Sequence, residues 1–204
     1  MGFPHREPGK PYPFREASKE ALLFVLGPLV RLLSTMRVRP DTLTVVGWTL
    51  ALCAAVLFGL GHPRVAGAVM LLGGLFDALD GAVARESNQM SPFGAFLDST
   101  LDRLSESAVF VGLIFFYANA ARPPEALLAG LAMTFSLLTS YARARAEGLN
   151  IPCEVGLLER AGRIVILSVF SISGLLTAGV ALVAAGALVT TAQRVLHVRR
   201  ATRG

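Results

Sequence analysis

Long apolar stretches alternate along the chain with short breaks that are polar or contain proline. A helix needs about 20 mostly apolar residues to cross a membrane. The apolar stretches are separated by turn sequences such as Gly61-His-Pro-Arg64 and Arg122-Pro-Pro. This pattern predicts six transmembrane helices, at about 41–60, 65–85, 92–117, 124–146, 160–174 and 179–197.

A shorter apolar run, residues 21–30, precedes these helices and ends at Arg31. It is too short to span a membrane, and Pro28 interrupts it. A signal peptide is the rival interpretation, but the charged leader is long and no small-residue cleavage site follows. We therefore predict a cytosolic arm over residues 1–20 and an amphipathic interfacial helix at about 14–36. Residues 1–40 would form this arm and helix, and residues 41–204 one six-helix domain.

The composition places the chain in a membrane. Of 204 residues, 53% are hydrophobic, which is too apolar for an ordinary soluble domain. The net charge of +5 does not indicate a nucleic-acid partner, because the basic residues lie mainly between apolar runs. In the six-helix topology only Arg64 and Arg122 of the 19 basic residues fall on one side. The positive-inside rule makes the other side cytoplasmic and predicts a multi-pass protein of the cytoplasmic membrane.

Cysteine and histidine do not indicate a disulfide or a zinc site. Cys53 lies inside the first predicted span and Cys153 in a loop, so we expect no bond between them. No Cys-x-x-Cys or Cys/His cluster is present. His5, His62 and His197 are scattered, which favours structural or solvated roles.

Four aspartates interrupt the apolar sequence of the second and third predicted spans. Asp77 and Asp80 are three residues apart, and Asp98 and Asp102 are four apart, so each pair lies on one helix face. An isolated charge in hydrocarbon costs about 2.5–3.5 kcal/mol on insertion scales, so four carboxylates need compensation. Carboxylates are ligands for divalent cations such as Mg²⁺. The sequence predicts that the aspartates meet at the cytoplasmic face around metal.

The spacing extends well beyond the aspartates. The full pattern is Asp77-x2-Asp80-Gly81-x2-Ala84-Arg85-x8-Gly94-x3-Asp98-x3-Asp102. It resembles, position for position, the signature of the CDP-alcohol phosphotransferases. The resemblance implies a six-helix membrane enzyme, typically a homodimer, that displaces CMP from a CDP-linked lipid with two divalent ions, Mg²⁺ or alternatively Mn²⁺.

The resemblance also implies roles for individual residues. Asp77, Asp80, Asp98 and Asp102 would be the metal ligands, with Asp102 also the general base that takes a proton from the acceptor hydroxyl. The CDP-lipid would contact a set that also includes a Pro-Asp-x-x-Thr element, namely Asp41, Thr44, Asp80, Gly81, Ala84, Arg85 and Ser91. Simpler roles stay open for three of these: N-capping for Asp41, helix packing for Gly81 and interfacial snorkelling for Arg85.

The second half of the chain resembles one branch of that family, the phosphatidylinositol phosphate synthases. The carrying segments are Ser140-Tyr-Ala-Arg143-Ala-Arg145-Ala-Glu147, Glu159-Arg160-Ala-Gly-Arg163 and Gln193-Arg194. The resemblance implies that the phosphate of inositol 1-phosphate is bound by Ser140, Arg143, Arg163 and Arg194. Relatives commonly carry lysine at position 143. Several cations in one pocket suit a phosphomonoester better than a neutral alcohol. Anchoring of the bundle at the inner membrane surface is the alternative role for these arginines.

The predicted reaction transfers a phosphatidyl group from CDP-diacylglycerol, or an ether-lipid equivalent, to a phosphorylated polyol. An alternative acceptor is glycerol 3-phosphate, although relatives of that type continue the third aspartate with Pro-x-x-Asp-Lys, whereas this chain has Asp98-Ser-Thr-Leu-Asp102-Arg103. An ion-coupled transporter is the alternative of a different class. Ala126, Gly130 and Thr134 lie at four-residue spacing and suit either dimer contact or packing within the chain.

Overall fold

The computed structural model describes residues 25–203, and every regular element among them is an α-helix. The predicted arm at 1–20, the part of the predicted interfacial helix before Val25 and the signal-peptide alternative lie outside the described residues. The helices are α1 (Val25–Thr35), α2 (Pro40–Gly59), α3 (Pro63–Glu86), α4 (Pro92–Asn119), α5 (Pro123–Glu147), α6 (Arg160–Ile172) and α7 (Leu176–Ala201).

Local sequence signals explain where α2 to α5 begin and end. Each starts at a proline, whose fixed φ suits the first turn and whose missing N–H has no helical partner there. Residues with positive φ then reverse the chain in the connections, at Gly61, Asn88, Ala121 and Gly174. These boundaries agree with the predicted ones to within a few residues.

The six helices from α2 to α7 form a closed ring. Going round it, neighbours in contact are α2, α3, α6, α7, α5 and α4, and α4 returns to α2. The ring encloses an apolar core that includes Phe58, Phe110, Leu113, Leu167 and Val183. Short connections make successive helices antiparallel, so the start of α2, the end of α3 and the start of α4 lie at one end of the ring.

Four helices are long and apolar enough to cross a membrane, namely α2, α3, α5 and α7. The other two helices of the ring, α4 and α6, do not meet this criterion, each for its own reason. Helix α4 has 28 residues but carries Asp98, Asp102, Arg103 and Glu106. Helix α6 has only 13 residues. Length and composition thus identify four of the six predicted spans.

Helix α1 packs across the end of the ring where the aspartates lie. Leu26 and Val30 of α1 are buried against Leu43 of α2 and against Leu79 and Val83 of α3. Other apolar side chains of α1, such as Val25 and Leu32, are exposed. The helix therefore has one face on the bundle and one apolar face outward.

Glycine allows α2 and α4 to approach closely. A Cβ atom on Gly112 of α4 would overlap the backbone carbonyl of Ala55 on α2. By contrast, a Cβ atom on Gly130 of α5 would meet nothing within 4 Å, so Gly130 faces open space. Packing within the chain therefore does not explain Gly130, and its part in a dimer stays a prediction.

We expect Gly112→Ala to lower the free energy of unfolding by about 1–3 kcal/mol, because the added methyl group would force α2 and α4 apart. The measurement is unfolding of the purified protein in detergent, followed by circular dichroism. Gly130→Ala is the matched control, and we expect it to preserve stability because alanine favours a helix over glycine. Equal losses in the two variants would contradict the close contact.

Candidate functional site

The four predicted aspartates meet at one end of the ring. Asp77 and Asp80 come from the last turns of α3, and Asp98 and Asp102 from the first turns of α4. Every one of the six pairs among these carboxylates interacts electrostatically. The carboxyl groups of Asp98 and Asp102 also lie within hydrogen-bonding reach of each other. The structure thus brings together the residues that spacing alone assigned to one face of each helix.

Asp80 is held by a residue of α2. The Thr44 hydroxyl donates a hydrogen bond to Asp80 Oδ2 at 2.6 Å, and both side chains are buried. Thr44 Oγ1 also lies 3.2 Å from the carbonyl oxygen of Pro40. The predicted Pro-Asp-x-x-Thr element therefore contacts the acidic cluster directly, through its threonine.

The N-capping alternative for Asp41 is wrong. Helix α2 starts at Pro40, its N-cap residue is Arg39, and Asp41 lies inside the first turn. Asp41 Oδ1 instead points to the start of α4, where a Cβ atom on Gly94 would lie 3.3 Å from it. Ser91 is the true N-cap of α4, and its hydroxyl accepts a hydrogen bond from the Gly94 N–H at 2.9 Å. Asp41 and Ser91 thus lie together at one edge of the acidic cluster.

Gly81 leaves an open surface beside Asp80. A Cβ atom there would meet only the guanidinium of Arg85, at 3.4 Å. The helix-packing alternative for Gly81 therefore has no partner helix in the described part of the chain. Arg85 is exposed and Ala84 half-buried on the same turns. This surface is accessible to a ligand.

Arg160 was not predicted as a site residue, yet it is the closest cation to the aspartates. Its Nη1 atom lies 2.8 Å from Asp77 Oδ2 and 2.7 Å from Asp102 Oδ1, so α6 is tied to both α3 and α4. Sequence reasoning placed Arg160 at the start of the fifth predicted span and within a family segment, but gave it no role in the site. Its position at the first residue of α6 was visible, but its partners on two other helices were not.

Gly47 was also missed, and it makes room for Asp77. A Cβ atom on Gly47 of α2 would lie 2.7 Å from Asp77 Oδ1 and 3.3 Å from the carbonyl oxygen of Gly73. A contact that short is not tolerated between heavy atoms without displacement of one of them. Glycine at position 47 therefore lets the carboxylate lie directly against α2.

The cluster has the chemistry of a site for a hard divalent cation. Carboxylate oxygens are the ligands that Mg²⁺ and similar ions prefer. As the side chains are placed, no three His, Cys, Asp or Glu residues within 25–203 are arranged to hold an ion. The Arg160 guanidinium lies between Asp77 and Asp102, which explains why these carboxylates are not arranged around an ion. The donor types fit a metal, whereas their present arrangement is that of an ion pair.

The predicted acceptor-phosphate residues lie beside this cluster, but each arginine has a protein partner. Buried Arg163 makes a two-pronged ion pair with Glu106, at 2.6 and 2.8 Å. Buried Arg194 donates to the carbonyl oxygens of Thr139 and Val155. Half-exposed Arg143 pairs with Glu147 at 2.7 Å. Arg194 interacts electrostatically with both other arginines, so the three positive charges share one region.

Two further residues define that region. Ser140 is half-buried on α5, one turn before Arg143. Cys153 is buried in the connection between α5 and α6, and burial raises the pKa of its thiol. Both cysteines are free, as the sequence predicted. The raised pKa leaves the Cys153 thiol protonated at neutral pH and therefore a poor nucleophile.

Glu106 is the third residue that the sequence reasoning missed. It lies four residues after Asp102, so it continues the stripe of carboxylates at positions 98 and 102. That periodicity was a usable signal. It did not reveal that Glu106 of α4 neutralises Arg163 of α6, a helix that is not its neighbour in the ring.

Comparison with known proteins agrees with the motif. The model of the CDP-alcohol phosphatidyltransferase family matches residues 37–196 of this chain. An archaetidylinositol phosphate synthase of Methanothermobacter thermautotrophicus is 39% identical over 165 residues, which cover 78% of this chain and 82% of that protein.

Solved structures give the same result. The phosphatidylinositol phosphate synthase of Mycobacterium tuberculosis with CDP-DAG bound has a TM-score of 0.76 and 32% identity, over 84% of this chain and 92% of that one. The same enzyme in complex with manganese and citrate has a TM-score of 0.77 and 33% identity, over 84% and 88%. The similarity thus covers both the fold and most of the sequence.

Glu106→Gln tests the buried ion pair. We expect it to lower the free energy of unfolding by about 3–5 kcal/mol, because the Arg163 charge would stay buried without its partner. Glu147→Gln is the control, since it breaks an exposed pair with Arg143 and should cost less than about 1 kcal/mol. Unfolding in detergent measures both. A Glu106→Gln protein as stable as the control would rule out a strong buried pair.

Proposed function

This chain belongs to the CDP-alcohol phosphatidyltransferase family, and we propose from that premise that it is a phosphatidylinositol phosphate synthase. It transfers the phosphatidyl group of CDP-diacylglycerol, or of an ether-lipid equivalent, to inositol 1-phosphate. The products are phosphatidylinositol phosphate and CMP. The observation that carries this proposal is the convergence of all four motif aspartates at one end of the ring, next to three arginines.

The proposed membrane arrangement uses all six ring helices as spans. Helices α4 and α6 cross with the other four, because each is held in the closed ring by its two neighbours. Helix α1 lies in the interface as the end of an N-terminal unit over residues 1–40, and residues 41–204 form the catalytic domain. Basic residues are concentrated at the end that holds the aspartates, which favours a site facing the cytosol. A homodimer remains part of the proposal.

Two divalent ions, Mg²⁺ or Mn²⁺, would be held by Asp77, Asp80, Asp98 and Asp102. When bound, such ions supply positive charge to the attacking and leaving oxygens of a displacement at phosphorus. The manganese in the related mycobacterial structure supports use of a divalent cation. Asp102 accepts the proton of the acceptor hydroxyl. The ion pair between its Oδ1 atom and Arg160 must break before this happens.

The CDP-lipid would lie over the open turn at Gly81 and Ala84, with its acyl chains in the bilayer. Absence of a side chain at Gly81 allows the nucleotide to approach the α3 backbone. Arg85 reaches the diphosphate, and Asp41, Thr44 and Ser91 line the edge formed by the starts of α2 and α4. Asp80 borders both this surface and the metal site.

The acceptor phosphate would bind between α5, α6 and α7, at Ser140, Arg143, Arg163 and Arg194. The clustered positive charge favours a phosphorylated acceptor. Arg163 acts there while paired with Glu106. Its attraction for the phosphate is therefore weaker than that of a guanidinium with no carboxylate beside it. Arg143 has the most exposed side chain of the three and is best placed to exchange Glu147 for phosphate.

Asp102→Asn tests the reaction class. With Mg²⁺, CDP-diacylglycerol and inositol 1-phosphate, we expect CMP release to fall by at least about 100-fold, because an amide cannot accept the hydroxyl proton. Nucleotide binding should be partly retained. Glu86→Gln, which removes an exposed carboxylate at the end of the same helix as Asp80, is the control and should keep its activity. Unchanged CMP release in Asp102→Asn would reject the assigned base.

A competition assay tests the acceptor. Inositol 1-phosphate, glycerol 3-phosphate and unphosphorylated inositol are compared by CMP release from CDP-diacylglycerol. We expect kcat/KM for inositol 1-phosphate to exceed that for glycerol 3-phosphate by at least about tenfold. Inositol should be inactive, because it has no phosphate for the arginines to bind. A preference for glycerol 3-phosphate would assign the chain to phosphatidylglycerophosphate synthesis. Absence of CMP release with every phosphorylated polyol would overturn the enzyme assignment.

A further inference from the structure

One nitrogen atom of Arg160 occupies the position of a cation in the acidic cluster. Nη1 lies 2.8 Å from Asp77 Oδ2 and 2.7 Å from Asp102 Oδ1, so a single positive atom contacts carboxylates of two helices. All three side chains are largely buried, with 17–22% of each exposed. Carboxylates at this depth need a countercharge, and Arg160 supplies it in the described structure.

The contact of Arg160 with Asp77 and Asp102 has a less favourable geometry than the buried ion pair between Arg163 and Glu106. Arg163 uses two nitrogen atoms against the two oxygens of Glu106, which is the strongest geometry available to an arginine. Arg160 shares one nitrogen between two carboxylates, and its buried Nε has no hydrogen-bond partner within residues 25–203. The Arg160 guanidinium is therefore the less firmly held of the two.

We propose that Arg160 is a resident counter-ion that divalent cations displace from Asp77 and Asp102. This inference rests on the proposed function, because it requires the aspartates to be the metal ligands. In the absence of metal, Arg160 holds α3, α4 and α6 together and keeps Asp102 paired. If a cation were bound in its place, the positive ion would repel the arginine, and Arg160 Nη1 would leave Asp77 Oδ2 and Asp102 Oδ1.

The displaced side chain stays close to the substrates. Arg160 is the first residue of α6, and Arg163 lies on the next turn of the same helix. The guanidinium therefore remains between the acidic cluster and the arginines of the acceptor region. A phosphate entering that space would attract the Arg160 guanidinium. Displacement of Arg160 by a divalent cation and binding of the phosphate substrate therefore favour each other.

The experiment measures Mn²⁺ binding, without substrate, to the purified protein in detergent by electron paramagnetic resonance. We expect Arg160→Gln to bind Mn²⁺ at least about tenfold more tightly than the wild-type chain, because its competitor is gone. Arg103→Gln is the matched control: Arg103 is electrostatically close to Asp98, but its Nη1 donates to the Ser99 carbonyl oxygen. Its removal should change the affinity by less than about threefold.

A second measurement covers the case in which loss of Arg160 impairs folding. In EDTA, Arg160→Gln should unfold several degrees below the wild-type chain, and saturating Mn²⁺ should close the gap by mass action. Arg160→Lys keeps the charge and should behave nearly as the wild-type chain in both measurements. If Arg160→Gln does not fold, Arg160→Lys provides the test, and we expect it to bind Mn²⁺ with nearly the wild-type affinity. If Arg160→Lys instead binds Mn²⁺ much more weakly than the wild-type chain, the guanidinium positions the ligands and does not compete with the metal.

The outcomes separate the two proposals. If the wild-type chain binds Mn²⁺ and Asp98→Asn loses it, the metal site stands, and equal or weaker binding by Arg160→Gln overturns the counter-ion role alone. If neither the wild-type chain nor Arg160→Gln binds Mn²⁺, the metal site of the proposed function fails, and the counter-ion role fails with it.

Discussion

Neutralisation of negative charge at the ends of α3 and α4 is the constraint on which the structure depends. Four carboxylates that all repel one another cannot be buried at the end of an apolar ring without compensation. Arg160 from α6 supplies a positive charge, and Thr44 from α2 supplies a hydrogen bond. Because these partners come from different helices, the same interactions that make the acids tolerable also fix the relative positions of α2, α3, α4 and α6.

The close approach of helices is the second requirement, and small residues meet it. Gly112 allows α4 to lie against the backbone of α2, and Gly47 allows the Asp77 carboxylate to lie against α2. Helix packing among apolar surroundings depends on this kind of fit, because burial from lipid offers little driving force. A larger residue at Gly47 would move a proposed ligand, so packing and chemistry are coupled there.

The basic region between α5, α6 and α7 is organised by the same rule with the charges reversed. Arg163 is buried because Glu106 neutralises it, and Arg194 is buried because two backbone carbonyls accept its hydrogen bonds. The ring places this positive region next to the acidic one, with Arg160 between them. This juxtaposition of an acidic and a basic region suits the proposed transfer between two phosphate-containing substrates.

The sequence by itself determined the helices and the members of the acidic cluster. Proline at the start of α2 to α5 and apolar runs of suitable length are local signals, and spacings of three and four residues put two carboxylates on one face. Four carboxylates in apolar sequence already indicated a divalent metal, and the family motif added the expectation of a CDP-lipid.

Only the tertiary structure decided which charges pair between helices. Arg160 and Asp77 are far apart along the chain, as are Arg163 and Glu106, and no periodicity links them. For the same reason sequence could not choose between a cap and a site role for Asp41, or show that Gly47 makes room for Asp77. Pattern within a helix defines its faces, but the rotation and approach of its neighbours define what each face meets.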